Sequence, residues 1–242
     1  MRLIFIRHGD PDYEKDSLTE KGWKEAKLLS DMLSKMDIDE FYVSPLGRAR
    51  DTASFTLNKT GRRAVEYEWL KEFSPSIHKP YEERERSVVW DWIPQEWTAR
   101  KNFFDKDKWT DEPELEAADV RAEYDRVVSE FDCLLAKHGY VRDGSIYHAV
   151  KPNRKTIVFF CHFGITGVLM SHLMNVSPMI IWHHTCLAPT SVTSFYSEER
   201  REGAASFRAG TIGDISHLYA GGEEPAFSAR FCETFDSDER HD

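Results

Sequence analysis

Four stretches of the chain combine residue types that can act on a phosphate ester. They are Arg7-His8-Gly9, Arg48 within Ser44-Pro45-Leu46-Gly47-Arg48-Ala49, Glu72 in Trp69-Leu70-Lys71-Glu72, and His162-Phe163-Gly164. A dianionic phosphate needs cationic partners, and the forked guanidinium of Arg holds two oxygens at once. A neutral imidazole nitrogen can attack phosphorus in line with the leaving oxygen, giving a phosphohistidine that water later hydrolyses. An acid must protonate the leaving alkoxide and then act as base for the water, and Glu72 is placed for that role. Glycine directly after His8 lets the backbone approach a ligand that a side chain would obstruct.

These groups are spread over about 155 positions, so the fold must gather them. In open α/β sheets, ligands bind outside the carboxyl ends of the strands. The run 2–6 (RLIFI) reads as a buried strand ending at Arg7, and 40–43 (EFYV) as a second ending at Ser44. The run 156–161 (TIVFFC) is the strongest buried-strand signal and ends at His162. Between them, Trp23, Ala26, Leu29, Leu33 and Met36 recur at helical steps behind the candidate N-cap Thr19. Residues 47–57 suit a second helix, 64–70 a third strand, and 165–175 a further helix. Residues 114–138 suit a long helix stopped by Gly139, 140–149 a hairpin around Asp143-Gly144, and 191–197 and 205–210 two more strands. The β-α-β-α-β order predicts an α/β fold: a three-layer α/β/α sandwich with a mostly parallel sheet. One domain over 1–242 is expected, with a mainly helical, Trp-rich insertion at 73–150 and a polar, irregular or mobile tail at 219–242.

The chain has 242 residues and a formal net charge of -10, with 40% apolar residues. That is enough apolar material for a core. An acidic protein is poorly suited to non-specific nucleic-acid or anionic-membrane binding, so neither partner is expected. No stretch approaches the roughly 18 apolar residues of a membrane span, and Met1–Ile6 is too short for a signal-peptide core. Cys133, Cys161, Cys186 and Cys232 are widely spaced with no C-x-x-C, which suggests neither a disulfide framework nor a zinc ribbon. The expected location is cytoplasmic, with reduced thiols.

The chain resembles the histidine phosphatase superfamily, in its phosphoglycerate-mutase-like branch. The resemblance rests on Leu3 to Gly9, Leu18-Thr19-Glu20-Lys21-Gly22 with Glu25-Ala26, and Ser44 to Ala49 followed by Thr52-Ala53. It continues with Leu70-Lys71-Glu72, Phe160 to Gly164, and Gly213-Asp214-Ile215-Ser216-His217-Leu218. The resemblance implies that His8 is the phosphorylated nucleophile and Glu72 the proton donor. Arg7, Arg48 and His162 would complete the phosphate pocket, with Gly9 and Phe163 also against the substrate. It implies metal-independent hydrolysis of a small phosphorylated metabolite, with no cofactor. The alternatives are a phosphoglycerate-type mutase and a catalytically silent phospho-ligand-binding module. Glu14 stands where many members carry Asn, the loop after Gly9 is short and acidic, and Phe163 separates His162 from Gly164. The loop favours phosphatase over mutase.

Other candidates have plainer readings. His183-His184, even with Cys186 or His172, make a poor metal site because adjacent residues do not readily face one ion. Arg50 neighbours Arg48, but the spacing to Ala49, Thr52 and Ala53 selects Arg48. His217 is read as a cap or brace at the site floor, with a packing role at least as expected as a substrate role, and the Trp cluster at 90–109 as core, lid or leaving-group pocket. Arg84, Arg86, Arg100 and Lys101 stay unranked as substrate contacts. The oligomeric state is open, with a homodimer as one candidate.

Overall fold

The run Arg2–Arg7 is apolar on both faces of a strand, and in the computed structural model it forms β1 at the centre of an eight-stranded sheet. The structure describes residues 1–227, 232–237 and 239. In chain order the elements are β1 (Arg2–Arg7), β2 (Pro11–Asp12), β3 (Ser17–Leu18), α1 (Glu20–Leu33), β4 (Glu40–Val43), α2 (Gly47–Thr60) and β5 (Val65–Glu66). Then come β6 (Ser76–Ile77), β7 (Ser87–Val88), α3 (Pro94–Thr98), α4 (Pro113–Glu116), α5 (Val120–Lys137), β8 (Tyr140–Asp143) and β9 (Ile146–Ala149). The chain continues through β10 (Thr156–Cys161), α6 (Phe163–Met174), α7 (Pro178–His184), β11 (Val192–Arg201), β12 (Ala204–Asp214) and α8 (Ser216–Ala220).

The sheet order is β5-β4-β10-β1-β11-β12-β9-β8. Strands β5, β4, β10 and β1 form a parallel core, and the other four are antiparallel. Alternation along β1 divides the core between two faces. Ile4 and Ile6 pack with Leu29, Leu33, Ala49 and Ala53 of α1 and α2. Leu3 and Phe5 pack with Phe131, Ile165 and Leu169 of α5 and α6. Helices therefore cover both faces, and the ends of β1, β4 and β10 share one rim.

Several expected elements differ. The third strand at 64–70 pairs only at Val65–Glu66, and Glu68–Leu70 is a 3-10 turn that buries Trp69 and Leu70. The 114–138 helix breaks after Glu116, where Asp119 takes a left-handed φ of 49° before α5 starts. The polar loop after Gly9 contains the β2–β3 hairpin. Helix α7 went unread, although Ser177 caps it and Pro178 opens it. Within 73–150, residues 140–149 join the main sheet as its far edge. The tail is irregular at 223–227 but tied down: Lys21 Nζ donates to Glu223 Oε1 at 2.7 Å and Ala226 N–H to Glu25 Oε1 at 3.1 Å. The rest of that tail at 228–231, 238 and 240–242 lies outside the described residues. Among the described residues no helix is long and apolar enough to cross a membrane.

Helix α6 is buried almost all round. Trp182 Nε1 donates to the Gly164 carbonyl at 2.9 Å, and a Cβ on Gly167 would collide with the same indole. Gly167→Ala is therefore expected to destabilise the protein by about 1–3 kcal/mol through overpacking. Urea unfolding measures this, and an unchanged midpoint would contradict the packing described.

Candidate active site

The rim brings Arg7, His8, Arg48 and His162 together. Arg7 ends β1 and His8 follows it, and the His8 N–H donates to the Cys161 carbonyl at 3.0 Å, which locks the β1 and β10 ends side by side. The rings of His8 and His162 lie 5.1 Å apart, centroid to centroid. His8 is 1% exposed and His162 is fully buried.

The tautomer of His8 follows from its partner. Nδ1 lies 2.8 Å from the Gly9 carbonyl oxygen. A carbonyl can only accept, so Nδ1 carries the proton and the lone pair sits on Nε2. Burial first, then the neighbouring Arg7 and Arg48, pushes the His8 pKa well below its ordinary value. The ring is neutral at physiological pH. His162 is held down likewise by burial, His8 and the two arginines. Its Nε2 is 2.8 Å from Ser44 Oγ, and its Nδ1 is buried without a protein partner among the described residues.

The loop under the nucleophile is fixed by close backbone contacts. Gly9 N–H donates to Thr52 Oγ1 at 2.9 Å, and a Cβ on Gly9 would stand 2.8 Å from the Gly22 carbonyl oxygen. Asp10 N–H donates to Glu25 Oε2 at 2.8 Å, and Glu25 is pushed up to about 7 by its burial. On the other side Thr190, at φ 58°, donates its N–H to the carbonyls of Arg7 and His8. Thr190 Oγ1 meets His217 Nε2 at 3.0 Å, so His217 braces that loop.

Arg7 Nη1 donates to the Leu187 carbonyl at 2.7 Å, and Arg48 Nη1 to Asp16 Oδ1 at 2.6 Å. Glu72 leaves the 3-10 turn and meets the start of α6. Its Oε1 accepts from Phe73 N–H at 2.9 Å and Ile165 N–H at 3.0 Å. Burial raises its pKa, against the pull of those N–H groups and of Arg7 and Arg48. With Oε1 taken by two donors, the acidic proton belongs on Oε2. A Cβ at Gly164 would stand 2.8 Å from Glu72 Oε1 and 2.6 Å from Trp90 Nε1, so the glycine after Phe163 admits both groups. Phe163 is buried edge-on against Trp90, with centroids 5.3 Å apart.

Of the remaining candidates, His183 and Arg100 are held by structural contacts. His183 donates Nδ1–H to the Met179 carbonyl, accepts from Trp92 N–H at Nε2, and stacks on Trp97. Among the described residues no three His, Cys, Asp or Glu side chains gather as a metal would require. Arg100 pairs with Glu112 and Glu114 and lies over Trp92. Arg86 lines a cleft with His78, Glu114 and Asp119, while Arg84 and Lys101 are exposed. Sequence reasoning assigned no role to Ser44, Thr52 or Glu25, although each lay inside a stretch carrying the resemblance. It passed over Asp16 as a site residue and reached Trp90 only as one of the Trp cluster at 90–109.

Comparison with protein families matches residues 3–208 to the histidine phosphatase superfamily (branch 1). Comparison with curated proteins finds no match. Among solved structures, the chain is similar to a phosphoserine phosphatase mutant from Entamoeba histolytica in complex with phosphoserine. That match has 21% identity and a TM-score of 0.58, over 90% of this chain and 98% of that one. It is also similar to a mycobacterial glucosyl-3-phosphoglycerate phosphatase complexed with VO3, at 21% identity and TM-score 0.52, over 87% and 97%. Bacillus stearothermophilus YhfR matches at 19% identity and TM-score 0.56, over 89% and 98%. At these identities the structures share the fold.

The buried titratable groups set the response to acid. His8, His138, His162, His183 and His217 all fall below the ordinary 6.5 through burial, His183 and His217 to about 4. Below 6.5 the unfolded chain takes up these protons first, so their contribution to stability is lost as pH falls. Glu25 and Glu72, both raised, act in the opposite sense, and their contribution is lost as pH rises above 4.5. The five histidines outnumber the two carboxyls. The melting temperature is expected to fall between pH 6.5 and 4.5, and a flat or rising profile would contradict this assignment of neutral histidines.

Proposed function

Because the chain belongs to the histidine phosphatase superfamily, branch 1, we propose that it is a metal-independent phosphomonoesterase acting on a small phosphorylated metabolite through phospho-His8. One observation carries the reading: a buried neutral His8, its Nδ1–H spent on the Gly9 carbonyl, stands among Arg7, Arg48 and His162 with a raised Glu72 carboxyl nearby. The names of the similar structures, a phosphoserine phosphatase and a glucosyl-3-phosphoglycerate phosphatase, support a substrate of that class.

In this mechanism Arg7 and Arg48 neutralise the phosphoryl oxygens. His162 donates Nδ1–H to a third oxygen, in the tautomer whose Nε2 accepts from the Ser44 hydroxyl. His8 Nε2 forms a bond to phosphorus as the ester P–O bond breaks. The leaving alkoxide takes its proton from Glu72 Oε2. Glu72, now a carboxylate, deprotonates a water whose oxygen attacks phosphorus, and the P–N bond breaks to give inorganic phosphate and free His8. Phe163 and Trp90 offer the leaving group an apolar wall. The reading includes a single cytoplasmic domain carrying the 73–150 insertion.

Purified protein is expected to release phosphate from an aryl phosphate, and His8→Ala to abolish that release while keeping the wild-type circular dichroism; full activity in His8→Ala would remove the nucleophile. Glu72→Gln is expected to slow alkyl phosphates at least about tenfold more than a nitrophenyl phosphate, because a good leaving group needs no proton. Equal losses on both would assign Glu72 elsewhere.

A further inference from the structure

The hairpin after Gly9 ends on a carboxylate that the mechanism above does not use. Asp16 adopts a left-handed φ of 47°. Its Oδ1 accepts from Arg48 Nη1 and its Oδ2 from the Gly47 N–H, both at 2.6 Å. The carboxylate thus takes two donors at the start of α2, where the helix dipole also favours an anion. Its position is firmly set. β2 and β3 pair on either side of it, and Ser17 Oγ donates to Asp51 Oδ2 of α2 at 2.5 Å. A Cβ on Gly47 would collide with the Asp16 carbonyl oxygen, so the close approach depends on that glycine. The Asp16 side chain is 43% exposed and the Arg48 side chain 12% exposed. A solvent-facing anion is therefore fixed on an inward-facing cation. Arg48 Nε is buried without a protein partner among the described residues, which leaves another edge of the fork for a phosphoryl oxygen.

We propose that Asp16 limits affinity for the phosphoryl group: its carboxylate competes with bound phosphate for Arg48 and so weakens retention of the phosphate product. This rests on the reading of Arg48 as a phosphate ligand. Phosphate arriving at Arg48 shares that guanidinium with a fixed anion and is repelled by it across a few ångströms. Product release limits turnover in many enzymes, so a hydrolase gains from holding phosphate loosely. The plainer role, in which Asp16 only props Arg48 in place, has the opposite sign. Removing a prop weakens phosphate binding, whereas removing a competitor strengthens it.

Calorimetric titration of the full chain with inorganic phosphate separates the two. Asp16→Asn keeps an acceptor for the Gly47 N–H and tolerates the left-handed backbone, while it drops the charge. The phosphate Kd is expected to fall roughly two- to fivefold, the range for one partly exposed charge pair, and KM for an aryl phosphate is expected to fall with it. An unchanged or raised Kd overturns the proposal, as does the absence of phosphate binding by both proteins. Where Asp16→Asn unfolds, Asp16→Ser serves in its place with the same expectation and the same overturning result. Because binding is read without turnover, wild-type protein that binds phosphate but releases none from an ester would sink the phosphatase reading and leave the role of Asp16 standing or falling on its own Kd.

Discussion

A histidine ring enclosed by protein beside two guanidinium groups has only its neutral form open to it. Protonating His8 would add a third cation where water cannot solvate it. Neutrality by itself leaves two tautomers, and the Gly9 carbonyl selects between them. Much of the surrounding structure serves that single hydrogen bond. Gly9 must pass against Gly22, and its N–H must reach Thr52. The β1 and β10 ends must stay in register, and Thr190 must fold back on the Arg7 and His8 carbonyls. Loss of any of these would let the Gly9 carbonyl move and would return Nδ1 to the competition for the proton.

The same enclosure acts oppositely on carboxyls. An acidic chain of net charge -10 gathers cations at one rim and keeps two nearby carboxyls raised by burial. Burial raises Glu72, whereas Glu25 accepts from the loop after His8 at Asp10 and from the tail at Ala226. Asp16 is the contrasting case. It reaches solvent and pairs with Arg48, and in that position a carboxylate tempers the positive charge of the pocket. Three carboxyls around the candidate site are thus set apart by burial and hydrogen bonding.

Much of this was legible in the sequence, for identifiable reasons. The runs Leu3–Ile6 and Ile157–Phe160 are apolar at every position, which only a strand buried on both faces requires, and a histidine stands two residues beyond the end of each. Thr19 capped α1 as its spacing indicated. The failures came where local pattern and tertiary demand diverged. Tyr67 and Trp69 alternate like a strand, yet Trp69 and Leu70 turn inward through a 3-10 turn to fill the core beside Phe131 and Phe159. Leu115 to Val120 is a step of five rather than three or four, and the regular steps from Val120 through Tyr124, Val127 and Phe131 masked that irregularity at Asp119. Asp16 was invisible for another reason. It meets Arg48 across 32 positions through a left-handed backbone that no local spacing announces.

The proposed chemistry turns on which nitrogen of His8 attacks. Rapid alkaline quenching during turnover of a phosphate ester, followed by peptide mass spectrometry and 31P NMR against phosphohistidine standards, reads this directly. Nδ1 carries the proton given to the Gly9 carbonyl, so the proposed mechanism predicts the phosphoryl group on Nε2 of His8. Phosphorylation at Nδ1, on another residue, or none at all under conditions where phosphate is being released would contradict it.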